Sequence, residues 1–146
     1  MELNMKIIKG HPVIGGIVEG EALVTTDPIS FMGGVNPKTG VISEKNHQLY
    51  GQSMKDKILV FPMGKGSTGG SYMLYDMCSR GLGPRGIINR KAEPVVAIGA
   101  IISKLPMIDR LEEDPMVSIK TGDWVQLDAD QGLVKILKHS RGDNNA

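Results

Sequence analysis

The chain has 146 residues, within the usual size of one domain, and 40% of them are hydrophobic, enough for one ordinary core. Its 17 basic and 16 acidic residues are scattered and nearly cancel, leaving a formal charge of +1 and no Lys or Arg run that could track a phosphate backbone, so nucleic acid is not an expected partner. Apolar runs such as Val95 to Ile102 fall far short of the roughly 20 residues of a membrane span, and the first residues lack a charged-then-apolar leader, so a soluble, cytoplasmic protein without membrane contact is expected.

From Val13 to Thr25, small and β-branched residues mix with glycines, which predicts a pair of strands broken by turns or bulges. After Asp27-Pro28 come the Gly33-Gly34 pair and an Asn-Pro-Lys-Thr-Gly turn ahead of Val41-Ile42, read as a loop and then a turn. Lys57 to Met63 is a short apolar run between charge and glycine, as expected of a buried strand. It runs straight into Gly64-Lys65-Gly66-Ser67-Thr68-Gly69-Gly70-Ser71. From Ser71, Leu74, Met77 and Cys78 fall at helical spacing, with Gly81 and Pro84 as stop signals. Gly86 to Asn89 and Val95 to Ile102 read as two further strands, in a sheet that buries both faces or receives a crossover. Met116 to Leu137 carries Thr-Gly-Asp and Asp-Gln-Gly turn signals between alternating stretches, read as a β-meander. The expected architecture is α/β, one domain over 1–140 with a β-rich C-terminal part, followed by a frayed tail over 141–146.

Aromatic residues are only 4% of the chain, so the core is expected to be aliphatic, with nine methionines to fill irregular gaps. The single cysteine, Cys78, excludes an internal disulfide and reads as a small buried hydrophobe. His11, His47 and His139 make no ligand spacing with it, so no metal is expected on this chain alone, and His47 reads as a surface residue. Tyr50 and Trp124 read as core or interface anchors, and Glu112 to Asp114 as a solvated loop. Asp27 and Ser30, beside the Gly33-Gly34 pair, could line a cleft or simply form turns.

The glycine loop is the most informative segment for chemistry. Its four glycines allow close approach and positive φ, and its place between strand and helix aims unpaired amides at a carboxylate or phosphate, to which Lys65 adds a full charge. A plain turn is the competing reading, with Ser71 as a helix cap. The loop fails the nucleotide P-loop pattern because Gly66 separates Lys65 from Ser67. It fails the dinucleotide fingerprint because no acidic residue ends a second strand about 20 positions on, Glu93 standing before a proline.

Around the loop, Glu19-Gly20-Glu21-Ala22, the Asp27 to Val35 segment, Thr39-Gly40, His47 to Gly51, Lys57 to Ser71 and Ala97 to Ile101 follow one another in an order that resembles the swivelling domain of aconitase X, from about Ile14 to Ile136. The resemblance implies a β/β/α swivelling fold and the role of a small subunit whose large-subunit partner holds an iron–sulfur cluster of the 4Fe-4S kind. It further implies that Ser67, matched to the family's Gly-Ser-Ser turn, is the catalytic base, and that Lys65, Gly66, Thr68, Gly69, Gly70 and Ser71 surround the substrate. Archaeal members imply a hydro-lyase acting on 5-phosphomevalonate for isoprenoid synthesis. Relatives that dehydrate cis-3-hydroxyproline or another hydroxy acid offer an alternative. Met32 stands where relatives often have tryptophan, and Gly69 where aconitases proper have an arginine, so any carboxylate contact falls to Lys65, backbone amides or the partner. The C-terminal segment is also similar to phosphohistidine carrier domains, but the loop lacks the histidine a carrier needs. A non-catalytic scaffold is the third alternative.

Overall fold

The structure, a computed structural model, describes residues 5–140. The expected tail over 141–146 lies outside the described residues. An eight-stranded sheet forms the centre, and its strands in chain order are β1 (Lys6–Lys9), β2 (His11–Ile14), β3 (Ile17–Val24), β6 (Ile58–Phe61), β7 (Gly86–Asn89), β8 (Met107–Asp109), β9 (Trp124–Asp128) and β10 (Leu133–Lys138). The order across the sheet is β1-β10-β9-β3-β6-β7-β8-β2. Strands β3, β6, β7 and β8 run parallel, and the flanking pairs are antiparallel. A separate two-stranded hairpin, β4 (Val35–Asn36) with β5 (Val41–Ile42), lies between β3 and β6 in the chain. Helices α1 (Gly69–Ser79) and α2 (Pro94–Ser103) make the crossovers, and α3 (Pro115–Ser118) is a single turn.

The parallel strands alternate their side chains between two cores, as a sheet covered on both faces requires. Leu23, Leu59, Phe61, Ile87 and Met107 pack with Leu74, Met77, Val96 and Ala100 of the two long helices. Ala22, Ile58, Val60, Ile88 and Ile108 point the other way, onto Val125, Leu127, Val134, Ile136 and Ile8 of the antiparallel strands and Ile119 after α3. Helices α1 and α2 lie close because Gly99 leaves no room for more: a Cβ there would stand 3.0 Å from Leu74 Cδ2 and 3.2 Å from the Ser71 carbonyl. No helix among the described residues is long and apolar enough to cross a membrane.

Several sequence expectations hold. The strand at Lys57 to Met63 is β6, every residue of which is buried. The Val13 to Thr25 stretch is two strands broken at Gly15-Gly16, but they do not pair: β2 pairs with β8 at one edge and β3 sits in the middle. Two expectations are corrected. Val95 to Ile102 is helix α2, not a strand, because Glu93 caps its first amides and Pro94 presets its first turn, while Lys104 closes it in the left-handed conformation. The meander loses its first strand, since Asp114 accepts from the Met116 amide and Pro115 opens α3 there; β9 and β10 form the expected hairpin.

Candidate functional site

Strand β6 delivers its loop at the carboxyl end of the parallel strands, where open α/β sheets place ligands. The loop is stitched down along its first half. The Met63 carbonyl accepts from the Ile29 amide at 3.3 Å, and the Lys65 amide donates to the Ile29 carbonyl at 3.0 Å. Gly64 is a glycine by necessity, since a Cβ would fall 2.5 Å from both Glu93 Oε1 and Val96 Cγ2. Gly66 turns the chain at φ +97°, where a side chain would meet Ser30 Oγ at 2.7 Å.

Beyond Gly66 the loop is open. Ser67 and Thr68 are exposed, and the Ser67 hydroxyl makes no hydrogen bond among the described residues. The amides of Gly66, Ser67, Thr68 and Gly69 likewise find no acceptor there; the first tied amide is that of Gly70, donating to the Ser67 carbonyl at 3.0 Å. Thr68 occupies the N-cap position of α1 without a side-chain cap, and no acidic residue stands in the first turn to neutralise the helix's positive end. Four unpaired amides, a helix N-terminus and a free hydroxyl thus fall within four residues, a donor set of the kind that anions bind. The charge of Lys65 is already engaged: its Nζ lies 2.9 Å from Glu44 Oε2.

The helix begins two residues earlier than expected, so Ser71 is not its cap. Its hydroxyl points away from the loop and donates to the Val95 carbonyl at 2.5 Å, fastening α1 to α2. Gly69 and Gly70 are closely packed: a Cβ on Gly69 would touch Met32 Cε at 3.2 Å, and one on Gly70 would touch Val95 Cγ1 at 3.2 Å. Ser30 is beside the loop, its hydroxyl donating to the Met32 carbonyl. Asp27 instead builds a neighbouring turn by accepting from the Gln48 amide at 2.9 Å.

His47 is not a surface residue. It is 7% exposed, and its Nδ1 accepts from the Leu49 amide, which leaves the proton on Nε2 to donate to the Pro28 carbonyl at 2.9 Å. Tyr50 and Trp124 are both outside the core, the indole donating to Glu19 at 2.8 Å. Glu113 and Asp114 are exposed but paired, with Lys6 and Arg90. Sequence reasoning missed Glu44 at the loop, because its partner Lys65 stands 21 positions along the chain, and missed Glu93, which caps α2 locally but reaches the loop only by packing against Gly64. A groove of about 340 Å³ beside the β4–β5 hairpin, lined by Asn36, Thr39, Tyr50 and Gly51 among others, includes no loop residue.

The described residues do not fit a metal or iron–sulfur centre: no group of three or more His, Cys, Asp or Glu comes together. Cys78 is half-buried in α1, and burial pushes its thiol pKa up, away from the thiolate that a cluster needs.

Over most of its length the chain is similar to known proteins. The family model described as the aconitase X swivel domain matches residues 7–136. A phosphomevalonate dehydratase small subunit from Methanocella arvoryzae is 53% identical over 129 residues, 88% of this chain and 98% of the relative. One from Methanosarcina acetivorans is 50% identical, covering 90% and 91%. In the crystal structure of Thermococcus kodakaraensis aconitase X in its holo-form, a chain 46% identical superposes with a TM-score of 0.86, covering 91% of this chain and 99% of that one.

Proposed function

This chain belongs to the aconitase X swivel-domain family, and from that premise we propose that it is the small subunit of a hydro-lyase that dehydrates (R)-5-phosphomevalonate to trans-anhydromevalonate 5-phosphate. The observation that carries the reading is the open half of the glycine loop, where the exposed, unbonded Ser67 hydroxyl sits among four unpaired amides at the start of α1. The reaction is a β-elimination. Ser67, as alkoxide, takes the proton from the carbon next to the carboxylate, and the electron pair of that C–H bond becomes the new C=C as the hydroxyl on the neighbouring carbon leaves; with a proton it departs as water.

A serine hydroxyl ionises far above neutral pH, so the loop must stabilise its oxyanion. A helix N-terminus supplies up to ~2 kcal/mol. At about 1.36 kcal/mol per pKa unit that lowers the pKa by only ~1.5 units. The amides of Gly66 to Gly69, the Lys65 ammonium and cations of a large subunit supply the rest, in a site that becomes dry on closure. The substrate's anionic groups draw on the same donors. The large subunit is also the place for an iron–sulfur cluster, which this chain's described residues do not suit. A swivelling module that brings the base to a centre on another chain admits substrate when open and excludes water when closed. The chain by itself is then inactive.

The test is anaerobic dehydration of 5-phosphomevalonate by the chain co-purified with its large subunit, wild type against Ser67→Ala. Loss of the base lowers turnover by about 10²–10⁴-fold. Because Ser67 is exposed and unbonded, the variant folds and assembles like wild type. Turnover retained in the variant would move the base to the partner. A wild-type complex inert toward this substrate would direct the assay to other hydroxy acids, cis-3-hydroxyproline first.

A further inference from the structure

We propose that Glu44 is a positioning residue for Lys65, holding its ammonium at the rim of the glycine loop so that two of its N–H donors face an incoming substrate anion. The inference rests on the reading above that the loop receives an anionic substrate. A lysine ammonium has three donors on a flexible stem. Glu44 Oε2, 2.9 Å from Nζ, takes one of them.

Glu44 is itself fixed to the foundation that carries the loop. Its carbonyl accepts from the His47 amide at 3.1 Å, and the neighbouring Ser43 amide donates to Gly34 at 3.0 Å. The turn is clipped from below by the buried His47, bonded to Pro28, and from the side by Gln48. The Gln48 Oε1 accepts from Thr25 Oγ1 at 2.7 Å and from the Thr26 amide at 2.8 Å. The stretch at the other end of these bonds, Thr25 to Pro28, runs into Ile29, whose carbonyl accepts from the Lys65 amide, so carboxylate and ammonium are referred to one base. Gly34 makes the space. A Cβ on Gly34 would lie 2.5 Å from the Ser30 carbonyl and 3.4 Å from Glu44 Oε1, so only glycine lets the turn come this close. Both charged groups are a third to a half exposed. Such a pair adds little to stability, so what it contributes is the placement of the ammonium.

The test is a double-mutant cycle in the large-subunit complex, read as kcat/KM for 5-phosphomevalonate. Lys65→Ala lowers it about tenfold or more, the loss of one charged hydrogen bond. Glu44→Ala lowers it about three- to tenfold, because the ammonium remains but wanders. Glu44→Gln, which keeps an acceptor oxygen, recovers most of that loss, and the Glu44→Ala, Lys65→Ala double variant is no worse than Lys65→Ala alone. Additive losses, an unaffected Glu44→Ala, or a Glu44→Gln as impaired as Glu44→Ala would overturn the assignment. If the wild-type complex does not turn over this substrate, the substrate reading fails by itself. The same cycle is then read from the Kd of inorganic phosphate, with the same non-additivity required and additive effects again overturning it.

Discussion

Replacing Glu93 by alanine removes the device that starts α2. Its carboxylate accepts from the Val96 amide at 2.7 Å and the Val95 amide at 3.0 Å, so two of the helix's unpaired donors lose their partner together. Cap removal costs about 0.5–2 kcal/mol. Two amides on one charged acceptor place this case in the upper half, about 1.5 kcal/mol. For a domain of this size each 1 kcal/mol moves the midpoint by about 3–4 °C, so Glu93→Ala should melt about 5 °C below wild type. Glu93→Asp, a strong cap, should recover most of the difference. Thermal unfolding followed by far-UV circular dichroism gives both numbers. A Glu93→Ala midpoint within about 1 °C of wild type, or an aspartate as damaging as alanine, would refute the reasoning that a cap decides this segment.

Asp123 is fully buried and accepts from the Lys120 amide at 2.9 Å and the Ser140 amide at 2.8 Å; Asp123→Ala leaves both without a partner and should cost about 2–3 kcal/mol in urea unfolding, more than Asp123→Asn. Burial raises the Cys78 pKa, so the fold holds the neutral thiol. That contribution is complete below the unfolded thiol's pKa and fades as pH rises through the folded value. Stability measured across the alkaline range should therefore fall less steeply in Cys78→Ala than in wild type, and identical slopes would contradict it.

What could be read from the sequence divides along physical lines. The β6, loop and α1 unit was legible because charge, an apolar run, glycines and helical spacing follow one another within about two dozen residues, all local signals. Helix α2 was misread because Pro94 to Ser103 has no charged residue to mark a period, and a continuous apolar run suits a buried strand as well as a buried helix. An acidic residue followed by proline starts a helix at Glu93-Pro94 and again at Asp114-Pro115, the two places where a strand was expected. The local cue was present but not sufficient, since Asp27-Pro28 is the same kind of pair and opens no helix. The loop's glycines and Ser67 could be singled out, whereas Glu44 could not, since its partner stands 21 positions away and no local pattern joins them. His47 was misplaced for the same reason, its role being set by Pro28, 19 positions away.

The pairing of β1 with β10 sets Lys6 opposite Ile136, so the described chain enters and leaves along one rim of the sheet. The order of strands puts β10, β9 and β3 between that rim and β6. Both ends can therefore be joined by a short linker, or grafted into a surface loop of a host protein, with the strand order kept and the serine turn untouched. The inserted version, with a large subunit as host, is a means of tethering the module to that subunit at a chosen effective concentration.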